Sequence, residues 1–350
     1  MPASREFRGR RAAAVENDAL RVTALEEGGH IAEIFDKRSG VNPLWTPPWP
    51  SIEPSSYSRA RHPEYGDGSD ARLLAGIMGH NLCADIFGGP SDAEAAAGLT
   101  PHGEASVVPY QLNVSGTTLT MAAGLPLAGL RVEREIVLVD RAARIRESIE
   151  NLTACDRPIG WTQHVTLGPP FLEKGLTEFR ASATRSKVFE RPFGVADEFV
   201  AGASFEWPLA PRADGGVADL RRFTDAHASS AYTAHLMNGL DEHAFFVAFS
   251  PARHLAFGYV WRREDFPWLG IWQENHSRTH TPWNGATLAC GMEFGASPMP
   301  ESRREMIDRG RLFDVPTFRW IPANSRVEVV YWAIARDADA VPERLTRPIA

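Results

Sequence analysis

Apolar and polar positions alternate along most of this chain, and alternation of that kind predicts strands whose side chains point to opposite faces. In Trp161-Thr162-Gln163-His164-Val165-Thr166-Leu167-Gly168, Trp161, Gln163, Val165 and Leu167 point one way. Thr162, His164, Thr166 and Gly168 point the other. The pattern predicts an opening hairpin, with strands over 18–25 and 30–35 around the turn Gly28-Gly29. Further strands are predicted near 105–114, 117–123, 130–139, 143–151, 159–167, 176–182, 231–237, 243–250, 254–261, 268–274, 286–295 and 326–335. Helical signals are few and short, at 92–98 and at 300–310, the second with Pro before it and Gly after it. Residues 42–70 carry Pro, Ser and Tyr without a period and read as a long ordered loop over a binding cleft.

This pattern predicts an all-β fold, two large sheets packed face to face with few short helices. No repeat of 20–50 residues stands out, against a propeller or solenoid. Residues 1–17 read as an N-terminal extension and 18–350 as a single β-sandwich domain.

Composition narrows the partners. The chain has 350 residues, 43% hydrophobic and 23% charged, with a net charge of -7. That balance favours neither nucleic acid nor an anionic membrane surface. No run approaches a membrane-spanning length and no secretory signal is evident, so a cytoplasmic protein is expected. Cys83, Cys155 and Cys290 are far apart and form no metal-type pair. His276 and His280 precede Pro282, which argues against a helical metal site. No metal or cofactor is expected.

Four places carry candidate chemistry. His164 stands on a polar strand face between two threonines, where an imidazole can exchange a proton near neutrality. In Leu288-Ala-Cys-Gly-Met-Glu-Phe-Gly295, Glu293 shares its face with Ala289, Gly291 and Gly295, small neighbours that clear space for a ligand. An edge-strand carboxylate in water is the alternative. His102-Gly103 after Pro101 reads as a turn whose His binds a ligand or caps the chain, with Glu104 structural or orienting a His. Trp268 to Trp283 sets three tryptophans beside Gln273, Glu274, Asn275 and two histidines, which suits a sugar site and also suits a core strand with a polar loop.

Taken in order, His102-Gly103, Thr162-Gln-His164 with Phe171, and Gly291-Met-Glu293 resemble the motifs of the galactose mutarotase-like (aldose 1-epimerase) superfamily. The resemblance covers about residues 18 to 335. Gly79-His80-Asn81 stands where free-aldose members carry Asn-Arg, and Val165-Thr-Leu-Gly follows the strand histidine, so the sugar stays open. The resemblance implies a large antiparallel β-sandwich (supersandwich) with an open cleft and no cofactor. It implies His164 as the general acid at a pyranose ring oxygen and Glu293 as the general base at the anomeric hydroxyl. His102, Asn81, Trp272, Gln273 and Asp241 are the implied substrate contacts, Asp241 with the alternative of a turn residue after Asn238-Gly239. The partner is then a small carbohydrate, and the protein a monomer or homodimer.

An epimerase of this kind needs His164 and Glu293 on one face of one cleft, a sugar ring apart. A non-catalytic carbohydrate-binding protein on the same fold is the second reading. A lyase or glycosidase is the third; a glycosidase usually needs two carboxylates, and Glu274 and Asp85 are the partners on offer for Glu293.

Overall fold

A computed structural model describes residues 5–192, 194 and 196–348. Among them, twelve strands form one antiparallel sheet and eight form a second. The apolar faces of the two sheets enclose the main core. Trp161, Val165 and Leu167 enter it from the large sheet, and Ile145, Ile149 and Tyr259 from the smaller one. The predicted strands are present apart from the one near 105–114. Ala142–Asn151 shows why the alternation was readable: Ile145 and Ile149 are fully buried and Arg144 and Arg146 are not.

The middle of the large sheet carries the site. Its strands run, side by side, His80–Asp85, Arg157–Leu167, Leu288–Gly295, Trp268–Asn275 and Ser229–Met237. A buried polar network pins this region to the sheet behind it. Glu147 Oε1 accepts from Trp161 Nε1 and from Gln163 Nε2, both at 2.6 Å. Its Oε2 accepts from Arg134 Nε at 2.8 Å. The Gln163 carbonyl meets the Tyr331 hydroxyl at 2.9 Å and His80 Nε2 at 3.0 Å. A one-residue slip would strand these groups without partners, so the network holds the register in which His164 faces away from the core.

Three expectations change. The stretch 1–17 is not a free extension over its described part, because Arg5–Phe7 and Arg10–Glu16 pair onto the sheet edge. Arg10 is fully buried there, bonded to Gly76 O and Glu27 O. The strand near 105–114 is a 3-10 turn over Glu104–Ser106 followed by a strand over Gln111–Ser115, with Pro109 between them unable to donate to a ladder. The later helix is Arg303–Arg309, started by the capping box of Ser302 and Glu305 rather than at Pro300.

Candidate active site

Register alone brings three candidate side chains into one row. His164 lies directly opposite Glu293 on one neighbouring strand and opposite Asn81 on the other. All three project from the face turned away from the second sheet. His164 Nε2 is 3.1 Å from Glu293 Oε1. His164 Nδ1 is 3.1 Å from the Thr166 hydroxyl, two residues along the same strand face.

Glycine makes room for the carboxylate. A Cβ on Gly291 would collide with Glu293 Oε1, and one on Gly270, opposite Glu293, would collide with the Tyr232 hydroxyl. The small residue that precedes Glu293 on its face is thus sterically required at Gly291.

His102 arrives from a turn. It is left-handed, with φ 69°, and Gly103 follows at φ 76°. Such a φ costs a non-glycine residue about 1–3 kcal/mol. A Cβ on Gly103 would strike Ala84 O, so glycine lets the turn press against the Asn81 strand. The His102 ring then stands 4.6 Å from that of His164. Asn81 Nδ2 donates to His102 Nδ1 at 3.1 Å and to Ser106 Oγ at 3.0 Å. Asn81 Oδ1 is buried with no hydrogen-bond partner among the described residues. Trp272 lies 6.0 Å from His164, ring to ring, and its Nε1 is also unpartnered among them. One free acceptor and one free donor thus flank the His–Glu pair.

Burial sets the protonation. It pushes the Glu293 carboxyl well above the usual 4.5. It pulls His164 well below 6.5, helped by His102, and holds His102 at about 4. Both members of the pair are thus driven toward their neutral forms, with one mobile proton between them, rather than toward a fixed ion pair.

The expected open cleft is a covered site. His164 is 6% exposed and Glu293 2%. The two are also in contact, not a sugar ring apart. Four tryptophans pack above this part of the sheet. Trp45 from the long loop stacks on Trp283 at 6.4 Å, and Trp49 meets both edge-on at 5.6 and 5.0 Å. Trp272 meets Trp283 edge-on at 6.1 Å. Arg278 lies over the rings of Trp283 and Trp272 and pairs with buried Glu274 at 3.3 Å. The sequence did not point to Trp45 and Trp49 individually; Trp-Thr-Pro-Pro-Trp within an otherwise polar loop is the signal it offered.

Two proposed sugar contacts lie elsewhere. Gln273 pairs with Cys290, whereas Trp272 pairs with Gly291, so Gln273 projects from the opposite face of the sheet. Asp241 sits in the turn before His243–Ser250, bonded to Asn238 and Arg344. The carboxylates on offer for a glycosidase pair are also engaged. Asp85 is held by Arg157 and Arg303, and Glu274 by Arg278 and Ser277. Glu104 accepts from the Ala128 amide, a structural role. His276, left-handed at φ 55°, bonds Gly285 O through Nδ1.

No family model matches the chain, and no curated protein matches it. Solved structures do. An aldose 1-epimerase candidate from Klebsiella pneumoniae superposes with a TM-score of 0.65 at 13% identity, covering 95% of this chain and 80% of that one. The Slr1438 protein from Synechocystis gives 0.61 at 14%, covering 96% and 99%. A galactose mutarotase related enzyme from Lactobacillus acidophilus gives 0.57 at 11%, covering 95% and 99%. Likeness over nearly the whole chain at such low identity speaks to architecture: the protein has the galactose mutarotase-like β-sandwich fold.

Proposed function

We propose that this protein interconverts the anomers of an aldose or aldose derivative, with His164 and Glu293 as its acid–base pair. The observation that carries the reading is their direct cross-strand pairing on one face of the sheet, which meets the requirement of a shared face although the side chains stand 3.1 Å apart rather than a sugar ring apart. The ring oxygen and the anomeric hydroxyl of a pyranose sit on one carbon, so an acid and a base serving them must lie close together. His164 gives a proton to the ring oxygen as the C1–O5 bond breaks. Glu293 takes the proton of the anomeric hydroxyl as C1 becomes a carbonyl. Rotation about C1–C2 and the reverse transfers close the ring with the other configuration. The exchange moves one proton each way and needs no cofactor.

Burial suits this cycle. The pair has no net charge when the proton is on Glu293, nor as imidazolium and carboxylate together. Ring opening converts the second arrangement into the first, and ring closure reverses it. The transferred proton is the one at Nε2, which faces Glu293, so Nδ1 keeps its own proton in both arrangements and donates to the Thr166 hydroxyl throughout. Asn81 Oδ1 and Trp272 Nε1 are positioned to meet neighbouring sugar hydroxyls, and His102 supports Asn81. Sugar entry requires the Trp45, Trp49 and Trp283 cover to open.

That cover favours a second, non-catalytic reading in one respect. Where it stays shut, the His–Glu contact is only a buried hydrogen bond. Anomer exchange followed by polarimetry or NMR on a panel of aldoses separates the two. The epimerase reading expects acceleration over the spontaneous rate, largely lost in Glu293→Gln. Sugar binding without acceleration would leave a binding protein on this fold.

A further inference from the structure

The misplaced Gln273 marks a second cavity. It lies on the opposite face of the large sheet from His164 and has a volume of about 570 Å³, within the roughly 300–1,000 Å³ of small-molecule sites. Gln273 is 5% exposed, and its Oε1 is buried without a hydrogen-bond partner among the described residues. Glu198, from a separate segment, lines the same cavity with a side chain 5% exposed. Its Oε1 accepts from Arg212 at 2.5 Å, while its Oε2 has no partner among the described residues. Burial raises this carboxyl despite Arg212. Each acceptor left unpaired away from water costs about 1–3 kcal/mol. Two of them on one wall indicate that a ligand or water supplies donors there.

The rest of the lining selects the ligand class. Four arginines and four carboxylates share the wall, with Phe199 and Phe223 among the apolar residues. A polyanion would meet the carboxylates, and a polycation the arginines. A neutral molecule bearing hydroxyls, each both donor and acceptor, finds partners of either kind. We propose that this cavity is a non-catalytic site for a neutral polyhydroxylated molecule, a saccharide of one or two rings, held by Gln273 and Glu198. The site stands apart from the His164–Glu293 pair and does not depend on that pair being catalytic.

The probes are methyl α-D-glucoside, methyl β-D-galactoside, maltose and trehalose, titrated at millimolar concentrations by calorimetry. Wild type should bind at least one. Gln273→Met keeps the length of the side chain and deletes the acceptor; Glu198→Gln replaces an acceptor with a donor. Each should weaken binding roughly tenfold, the equivalent of one good hydrogen bond. Glu293→Gln, on the other face, should leave this binding unchanged, which separates failure here from failure of the epimerase reading. The Gln273 side-chain amide resonance of ¹⁵N,¹³C-labelled wild type, assigned through its own backbone connectivities, should move on titration. That measurement decides the matter even where the variants fold poorly. Absence of binding by all four probes, a still resonance, or affinity indifferent to both cavity variants would show a water-filled cavity and overturn the proposal.

Discussion

His164 and Glu293 are direct cross-strand partners, and their side chains meet Nε2 to Oε1 at 3.1 Å on the face away from the main core. Acid and base are therefore built into the ladder of the sheet and do not depend on loop placement. Glu293→Gln keeps the shape and removes the titrating group. Anomer exchange measured by polarimetry should fall roughly a hundredfold to ten-thousandfold, the usual worth of a positioned acid or base. The melting temperature should hold or rise, because a buried carboxyl gives way to a neutral amide. Unchanged exchange in a folded variant would remove Glu293 from the mechanism.

The pH profile follows from the two opposed shifts. Unshifted groups would leave exactly one proton on the pair only between the ordinary values of 4.5 and 6.5. Here burial raises the Glu293 carboxyl and lowers His164, so the single proton of the pair moves from the imidazole toward the carboxyl and leaves both groups neutral. Activity should fall on the acid side as His164 gains its proton and no base remains. It should fall on the alkaline side as Glu293 loses its proton. The profile should therefore have two limbs, the acid one set by His164 and the alkaline one by Glu293, and an alkaline limb that persists in Glu293→Gln would contradict the assignment.

Strands with one face in the core were legible because half their positions are apolar, as in Leu130–Val139 with its alternating burial. His80–Asp85 was missed because all six of its residues are buried and no alternation survives. The short strands Ser204–Glu206, Leu209–Pro211 and Val217–Asp219 were missed because three residues carry no measurable period. At the site, the strand faces of His164 and Glu293 were readable from their neighbours, while Trp272 came only with the family resemblance. Gln273 and Trp272 are neighbours on one strand and point to opposite faces, so they cannot both line one site. The tryptophan cover was not readable, because it joins Trp45 and Trp49 to Trp283 across more than two hundred residues of sequence.

Thr166 is a positioning residue, touching His164 Nδ1 at 3.1 Å. Thr166→Val removes the hydroxyl and keeps the volume, leaving Nδ1 unpaired in a buried setting. The expected loss in exchange rate is about tenfold, one hydrogen bond's worth, in kcat with little change in KM. Thr166→Ser should restore most of it. A merely structural role would instead show as a lowered melting temperature with the pH limbs unmoved, whereas loss of the tautomer partner should shift the acid limb, where His164 titrates.

Arg134 and Glu147 have side chains 2% and 0% exposed and are joined at 2.5 Å. Glu147 also takes the indole of Trp161 and the amide of Gln163, the residue before His164. Arg134→Met fills the volume but leaves a buried carboxylate without its cation, which should cost about 3–5 kcal/mol, read as a lowered urea midpoint. Adding Glu147→Gln removes the stranded charge while its carbonyl still accepts from Trp161 and Gln163, so the double variant should recover much of the loss. If instead both variants are equally unstable, charge compensation is not what the pair provides. Recovery of stability without recovery of exchange would show a further task, holding Gln163, and with it the strand that carries His164, in the register that faces Glu293.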